Sequence, residues 1–156
     1  MGPADTVNYG RQTKLKVALG RRYHFAASHR LHSTRLSEAQ NRELYGKCNN
    51  PYGHGHNYVL EVLVSGAVDP ATGMIANLAE LDAFVQRQVL DDYDHKSFNE
   101  DVASFRDVVP TTENLCIDIF QRLKTFPQAT LEAIRVEETS NNSFEYAGEH
   151  TEEAAQ

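Results

Sequence analysis

One alternation of apolar residues fixes most of what this chain can become. Leu15, Val17, Leu19, Tyr23, Phe25 and Ala27 hold a single parity, and in an extended strand that parity puts them on one face. His29 shares the parity at the far end of the run. A second apolar, β-branched run, Tyr58-Val59-Leu60-Glu61-Val62-Leu63-Val64, follows the turn Cys48-Asn49-Asn50-Pro51-Tyr52-Gly53. It predicts a strand from about His56 to Ser65. His54 and His56 stand at its mouth, one residue apart and so on one face. Antiparallel pairing brings the end of the first strand beside the start of the second, where His29 is expected to meet His54 and His56. Three neutral imidazoles with a fourth position open is how catalytic zinc is held.

The remaining chain completes a β-β-α-α-β-β order. Ser37 with Gln40 forms a capping box for a short helix through about Tyr45. Asp69-Pro70-Ala71-Thr72-Gly73 is strong turn chemistry, after which Met74 to Asn77 is expected to resume an extended segment. Asn77 and Glu80 open a helix through about Leu90, with Leu78, Leu81, Phe84, Val85 and Val89 at helical spacing. Pro110-Thr111-Thr112-Glu113 opens a second long helix carrying Leu115, Ile119, Phe120, Leu123 and Phe126. Leu131 to Glu138, a turn at Asn141-Asn142, and Ser143 to Tyr146 predict a closing hairpin. Strands separated by a pair of helices imply an α+β fold, an antiparallel sheet with both helices on one face. Residues 14–148 are expected to form this single domain, between a flexible polar arm at 1–13 and a disordered acidic tail at 149–156.

Charge and cysteine content narrow the function. A net charge of −7, with no Lys/Arg cluster, argues against a nucleic-acid partner. Two cysteines, Cys48 and Cys116, make no disulfide framework and fit a reduced cytoplasmic setting. No apolar run reaches membrane-spanning length, and the N-terminus lacks a signal-peptide core. Met1-Gly2-Pro3-Ala4-Asp5-Thr6 matches the bare myristoylation pattern, but without a polybasic partner it reads as a false positive.

Beside the histidines, Cys48 admits two roles: a fourth ligand closing a structural site, or a base or nucleophile whose thiolate a nearby dication and Lys47 favour. The base is preferred, because catalytic sites leave a position open. Cys116, on a helix face, reads as an inert buried thiol. Asp94-His95 lies past a helix end, where an Asp-paired imidazole makes a competent acid and base. Glu138 keeps the parity of Ile134 and Val136, so a carboxylate stands where the pattern asks for a core residue. It needs a partner, and the edge of a pterin or guanine offers two parallel N–H donors. His24 and His32 fall on the wrong parity or past the strand end.

Phe25-Ala26-Ala27-Ser28-His29-Arg30-Leu31, Gly46 to Tyr58, Asp69 to Asn77, Leu90 to Lys96, Val108 to Asn114 and Val136 to Asn142, in this order, resemble the 6-pyruvoyl-tetrahydropterin synthase family. The resemblance implies a tunnelling fold (T-fold): a four-stranded antiparallel sheet with two helices, in trimers that close a twelve-stranded barrel and stack as a homohexamer. It implies zinc held by His29, His54 and His56, catalysis by Cys48, Asp94 and His95, and a pterin anchored by Glu138 with Thr111 and Thr112. Its sites draw on neighbouring subunits. The implied reaction is conversion of 7,8-dihydroneopterin triphosphate to 6-pyruvoyl-tetrahydropterin and triphosphate, an elimination with internal redox. A sister activity, 6-carboxy-tetrahydropterin synthesis, typically places the cysteine three residues before His-Gly-His. Here five residues intervene, and Lys96 follows Asp94-His95. Both features favour the pyruvoyl reaction. A zinc-stabilised binding module is the non-enzymatic alternative, and Arg30, Lys47 and Lys96 are candidates for the triphosphate.

Overall fold

The computed structural model describes residues 15–149. The expected arm with its myristoylation pattern, and the acidic tail beyond Glu149, lie outside the described residues. Strands β1 (Lys16–His29), β2 (His54–Ala67), β4 (Thr130–Thr139) and β5 (Asn142–Tyr146) form an antiparallel sheet, with a two-residue strand β3 (Lys96–Ser97) at its edge. The order across the sheet is β3-β1-β2-β4-β5. Five strands therefore replace the expected four. β3 runs parallel to β1 at Ala27 and Ser28, fastened by His95 N–H to the Ala26 carbonyl at 2.6 Å. Two polar residues carry no alternation, so sequence periodicity has nothing to detect there.

Helix α1 (Glu38–Tyr45) lies between β1 and β2, with the Ser37–Gln40 capping box formed as expected. Asn77 caps α2 (Leu78–Val85), accepting from the N–H groups of Ala79 and Glu80. That helix ends earlier than its apolar spacing suggests, passing through a π-helical turn (Gln86–Leu90) into α3 (Asp91–Tyr93). α4 (Phe98–Asp101) follows, and then α5 (Thr112–Leu123), the longest helix. The short helix and the second long one are present as α1 and α5, the first long one is divided into α2, the π-helical turn and α3, α4 is additional, and Met74 to Asn77 forms no strand.

α2 and α5 pack one face of the sheet. Leu81, Val85, Leu115, Ile119 and Leu123 join Leu60, Val62, Val64, Ile134 and Val136 in one buried cluster. The apolar stripe of β1 is fully buried only toward its end, at Phe25, Ala27 and His29; Leu19 and Tyr23 pack partly buried against the core, and Val17 is exposed. Arg21, of the same parity, instead grips Asp82 on α2 through two hydrogen bonds of 3.0 and 2.7 Å. No helix among the described residues is long and apolar enough to cross a membrane.

Candidate active site

The pairing of β1 with β2 builds the centre. His29 lies directly opposite His54, and Ala27 opposite His56, so the three imidazoles converge on the core face at the sheet's end. Their ring centroids are 4.8–5.1 Å apart. One ligand nitrogen from each falls within 4.8 Å of the others. His29, His54 and His56 therefore form a group able to hold a metal ion.

Hydrogen bonding settles how His29 presents itself. Its Nδ1–H donates to the Pro110 carbonyl at 2.9 Å, in the loop before α5. A carbonyl can only accept, so Nδ1 carries the proton and Nε2 of the neutral ring is a lone pair aimed into the centre. Burial lowers the pKa of both His29 and His56, keeping them neutral against the opposing pull of Glu138. His29 Nε2 faces His54 Nε2 at 3.1 Å. His56 Nε2 is buried without a hydrogen-bond partner, although Glu138 Oε1 stands 3.4 Å away. Converging ring nitrogens, one of them without a partner, suit a cation with nitrogen ligands; a borderline-soft divalent ion such as zinc matches three imidazoles.

Glu138 is brought here by a β-bulge. Glu137 pairs with Ser143 and Thr139 with Asn142, so Glu138 is the extra residue on β4. Bulges re-aim side chains. This one sets Glu138 Oε1 at 3.4 and 3.6 Å from Nε2 of His56 and His29, while Asn142 Nδ2 donates to its other oxygen at 3.3 Å. Cys48 sits in a 3₁₀ turn (Gly46–Asn49) whose Cys48 carbonyl accepts from Leu31 N–H at 2.8 Å. Burial, then the Glu138 charge, raise its thiol pKa. The metal-binding group comprises the histidines without Cys48.

The Asp94–His95 pair lies beside the sheet edge, just before β3. Asp94 Oδ1 accepts from Ala26 N–H at 2.9 Å and lies 3.1 Å from His95 Nδ1. His95 has φ +59°, a left-handed conformation uncommon for a non-glycine residue. Its side chain is 82% exposed, and it lines a shallow depression of about 380 Å³ with Ser28, His56 and Lys96. Among the described residues no hydrogen bond or ion pair joins it to Cys48 or Glu138. Thr111 spends its hydroxyl as the cap of α5, accepting from Asn114 N–H. Thr112 is buried, and its Oγ1 has no partner. A larger depression, about 510 Å³, is lined by His32, Arg35, Arg106 and Pro110 and meets the histidine centre only through Pro110.

Two participants escape a reading by residue type. Pro110 acts through its carbonyl, which no sequence pattern marks. Tyr58 does carry a signal, since it continues the His54–His56 parity. It is fully buried and stacked on Phe25 at 4.9 Å, with its hydroxyl unpartnered; burial first, then the Glu138 and Cys48 charges, raise its pKa.

Fold and site together define a class: an α+β protein with a three-histidine metal-binding group at the end of its sheet, bordered by a carboxylate and a thiol. The chain belongs to the 6-pyruvoyl tetrahydropterin synthase family, whose pattern matches residues 18–149. It is 48% identical to a human 6-pyruvoyl tetrahydrobiopterin synthase, over 93% of this chain and 99% of that one. A Poecilia reticulata protein of the same name is 50% identical, over 80% and 86%. The solved Caenorhabditis elegans 6-pyruvoyl tetrahydropterin synthase superposes with a TM-score of 0.83 at 44% identity, covering 86% of this chain and 97% of that one.

Proposed function

We propose that the chain converts 7,8-dihydroneopterin triphosphate to 6-pyruvoyl-tetrahydropterin, releasing triphosphate, in a tetrahydrobiopterin-type biosynthesis. The observation that carries this reading is the convergence of His29, His54 and His56 beside Glu138 and Cys48, in a chain of this family. Zinc is the metal we assign, and bound there it would act as a Lewis acid toward the substrate's side-chain hydroxyls. His29, fixed by Pro110, and the two β2 histidines hold the ion. Cys48 takes a proton from the carbon side chain as general base. His95, oriented by Asp94, exchanges protons on the opposite face. Glu138 accepts the N–H edge of the pterin, aided by Thr111 and Thr112 at the head of α5. Elimination of triphosphate and internal redox balance within the substrate, so no external reductant is needed.

The tunnelling fold and a homohexamer, two stacked trimers, belong to the same proposal. The exposure of His95 supports a site that neighbouring subunits complete. The test is incubation of zinc-loaded protein with 7,8-dihydroneopterin triphosphate and identification of products by mass. The expected products are 6-pyruvoyl-tetrahydropterin and triphosphate. A carboxy-pterin with acetaldehyde, or no turnover, would overturn the reading.

A further inference from the structure

Asn49 is a buried amide next to Cys48 that the proposed chemistry leaves without a task. Its Nδ2 donates to the Leu31 carbonyl at 2.8 Å and to His32 Nδ1 at 3.1 Å. An amide nitrogen only donates, so His32 Nδ1 is the acceptor here. The Asn49 carbonyl accepts in turn from Arg30 Nε at 3.2 Å. All of these contacts fall on residues 30–32, the segment that continues from His29 at the end of β1.

Cys48 is tied to the same segment, its carbonyl accepting from Leu31 N–H at 2.8 Å. Leu31 thus spends its N–H on Cys48 and its carbonyl on Asn49. The Cys48 thiol itself makes no hydrogen bond among the described residues, so its place follows from how the turn is held. Within the 3₁₀ turn that hold is slight, because such turns bond with poorer geometry than an α-helix. The closing bond, Asn50 N–H to the Lys47 carbonyl, is long at 3.3 Å. The ties to residues 30–32 are what anchor it.

We infer that Asn49 is a positioning residue for Cys48: its side-chain amide fastens the thiol's turn to the strand that carries His29, and so fixes the thiol relative to the metal centre. His32, which strand parity sets aside as a ligand, accepts one of the two bonds that do the fastening. The inference rests on the reading of Cys48 as general base given above. A base misplaced by about 1 Å costs up to about a hundredfold in rate, while substrate contacts elsewhere in the site are spared.

Asn41 supplies the control. It is also buried, and its amide braces the neighbouring loop through the carbonyls of Ser33, Leu36 and Ser37, not through Cys48 or residues 30–32.

The experiment compares zinc-loaded Asn49→Ala and Asn41→Ala with the wild type. Zinc stoichiometry is expected to stay unchanged in both. In Asn49→Ala, kcat is expected to fall about ten- to a hundredfold with KM held within about twofold. In Asn41→Ala, kcat stays within about twofold of the wild type at a similar loss of melting temperature. On a Cys48→Ala background, Asn49→Ala should cause no further loss of turnover, because the thiol it places is gone. Iodoacetamide labelling of the half-buried Cys48, read by peptide mass, is expected to quicken in Asn49→Ala and not in Asn41→Ala. Asn49→Ser, a milder change, is read the same way should the alanine variant not fold. Equal kcat loss in the Asn49 and Asn41 variants, the full loss repeated on the Cys48→Ala background, or unaltered labelling in Asn49→Ala would overturn the inference. Labelling needs no turnover, so it stands apart from failure of the proposed reaction.

Discussion

Gly53→Ala should damage the metal centre without touching a ligand. Gly53 closes the turn before His54 with φ +70°, and a Cβ there would meet the His29 carbonyl oxygen at 2.8 Å and its carbon at 3.3 Å. Gly73 provides the control: φ is +72°, but a Cβ meets nothing within 4 Å. Gly73→Ala thus isolates the conformational cost, about 1–2 kcal/mol, less about 0.4–1 kcal/mol regained from a stiffer unfolded chain. Gly53→Ala adds a clash with backbone, which cannot rotate away, for about 1–3 kcal/mol more. The total is about 1–5 kcal/mol, or roughly 2–18 °C in melting temperature for a chain of this size. Relief requires His29 to withdraw from the turn, widening its 3.1 Å approach to His54. Zinc affinity should therefore fall in Gly53→Ala and stay unchanged in Gly73→Ala. Urea denaturation and a competitive zinc titration measure the two effects. Equal destabilisation of both variants with equal zinc affinity would refute the reasoning.

Cys48→Ala is expected to keep its fold and zinc stoichiometry while turnover drops by at least about a hundredfold; loss of the metal would instead make the thiol a ligand. The metal-free protein should weaken in acid. His29 and His56 have folded pKa values below the unfolded one, so the unfolded chain takes up protons first. Their contribution is full above about pH 6.5 and is lost as pH falls through the depressed folded values, which urea midpoints across pH 7.5 to 4.5 will follow (a window of about three units around the histidine pKa). Replacing His29 with Asn should flatten that slope. Arg122→Met should cost about 2–4 kcal/mol, read by thermal melting. It removes hydrogen bonds to Asp92, Asp118, the Gln88 carbonyl and Ser104, and the guanidinium's packing over Tyr93 at 5.2 Å.

What was legible in the sequence was what alternation and capping encode. The shared parity of His29 with Phe25 and Ala27, and of His54 with His56, suffices to bring three imidazoles together, because pairing geometry does the rest. Ser37, Asn77 and Thr111 mark helix starts through side-chain acceptors that a β-region residue offers to the first turn. Effects carried by the backbone leave no such trace. The π-helical turn at Gln86–Leu90 preserves apolar residues on its inner face, so the spacing reads as one uninterrupted helix. The bulge at Glu138 depends on a register shift against β5, invisible in either strand alone. β3 is a product of the bonds around Ala26 and Asp94 rather than of its own residues.

The long ladder between β1 and β2, from Lys16 opposite Ala67 to His29 opposite His54, leaves room for error in pairing. A slip of one residue would turn the apolar side outward and is strongly disfavoured. A slip of two keeps Leu60, Val62 and Val64 facing inward, so hydrophobic burial discriminates poorly against it. A slip that sets His29 opposite Tyr52 would, however, carry His56 four residues, about 13 Å, along the strand from His29, too far to share an ion. The metal centre is in this sense a gauge of strand register. A chain slipped in that sense could not be captured by the ion, so zinc supplied during folding would select against a pairing that apolar packing leaves open.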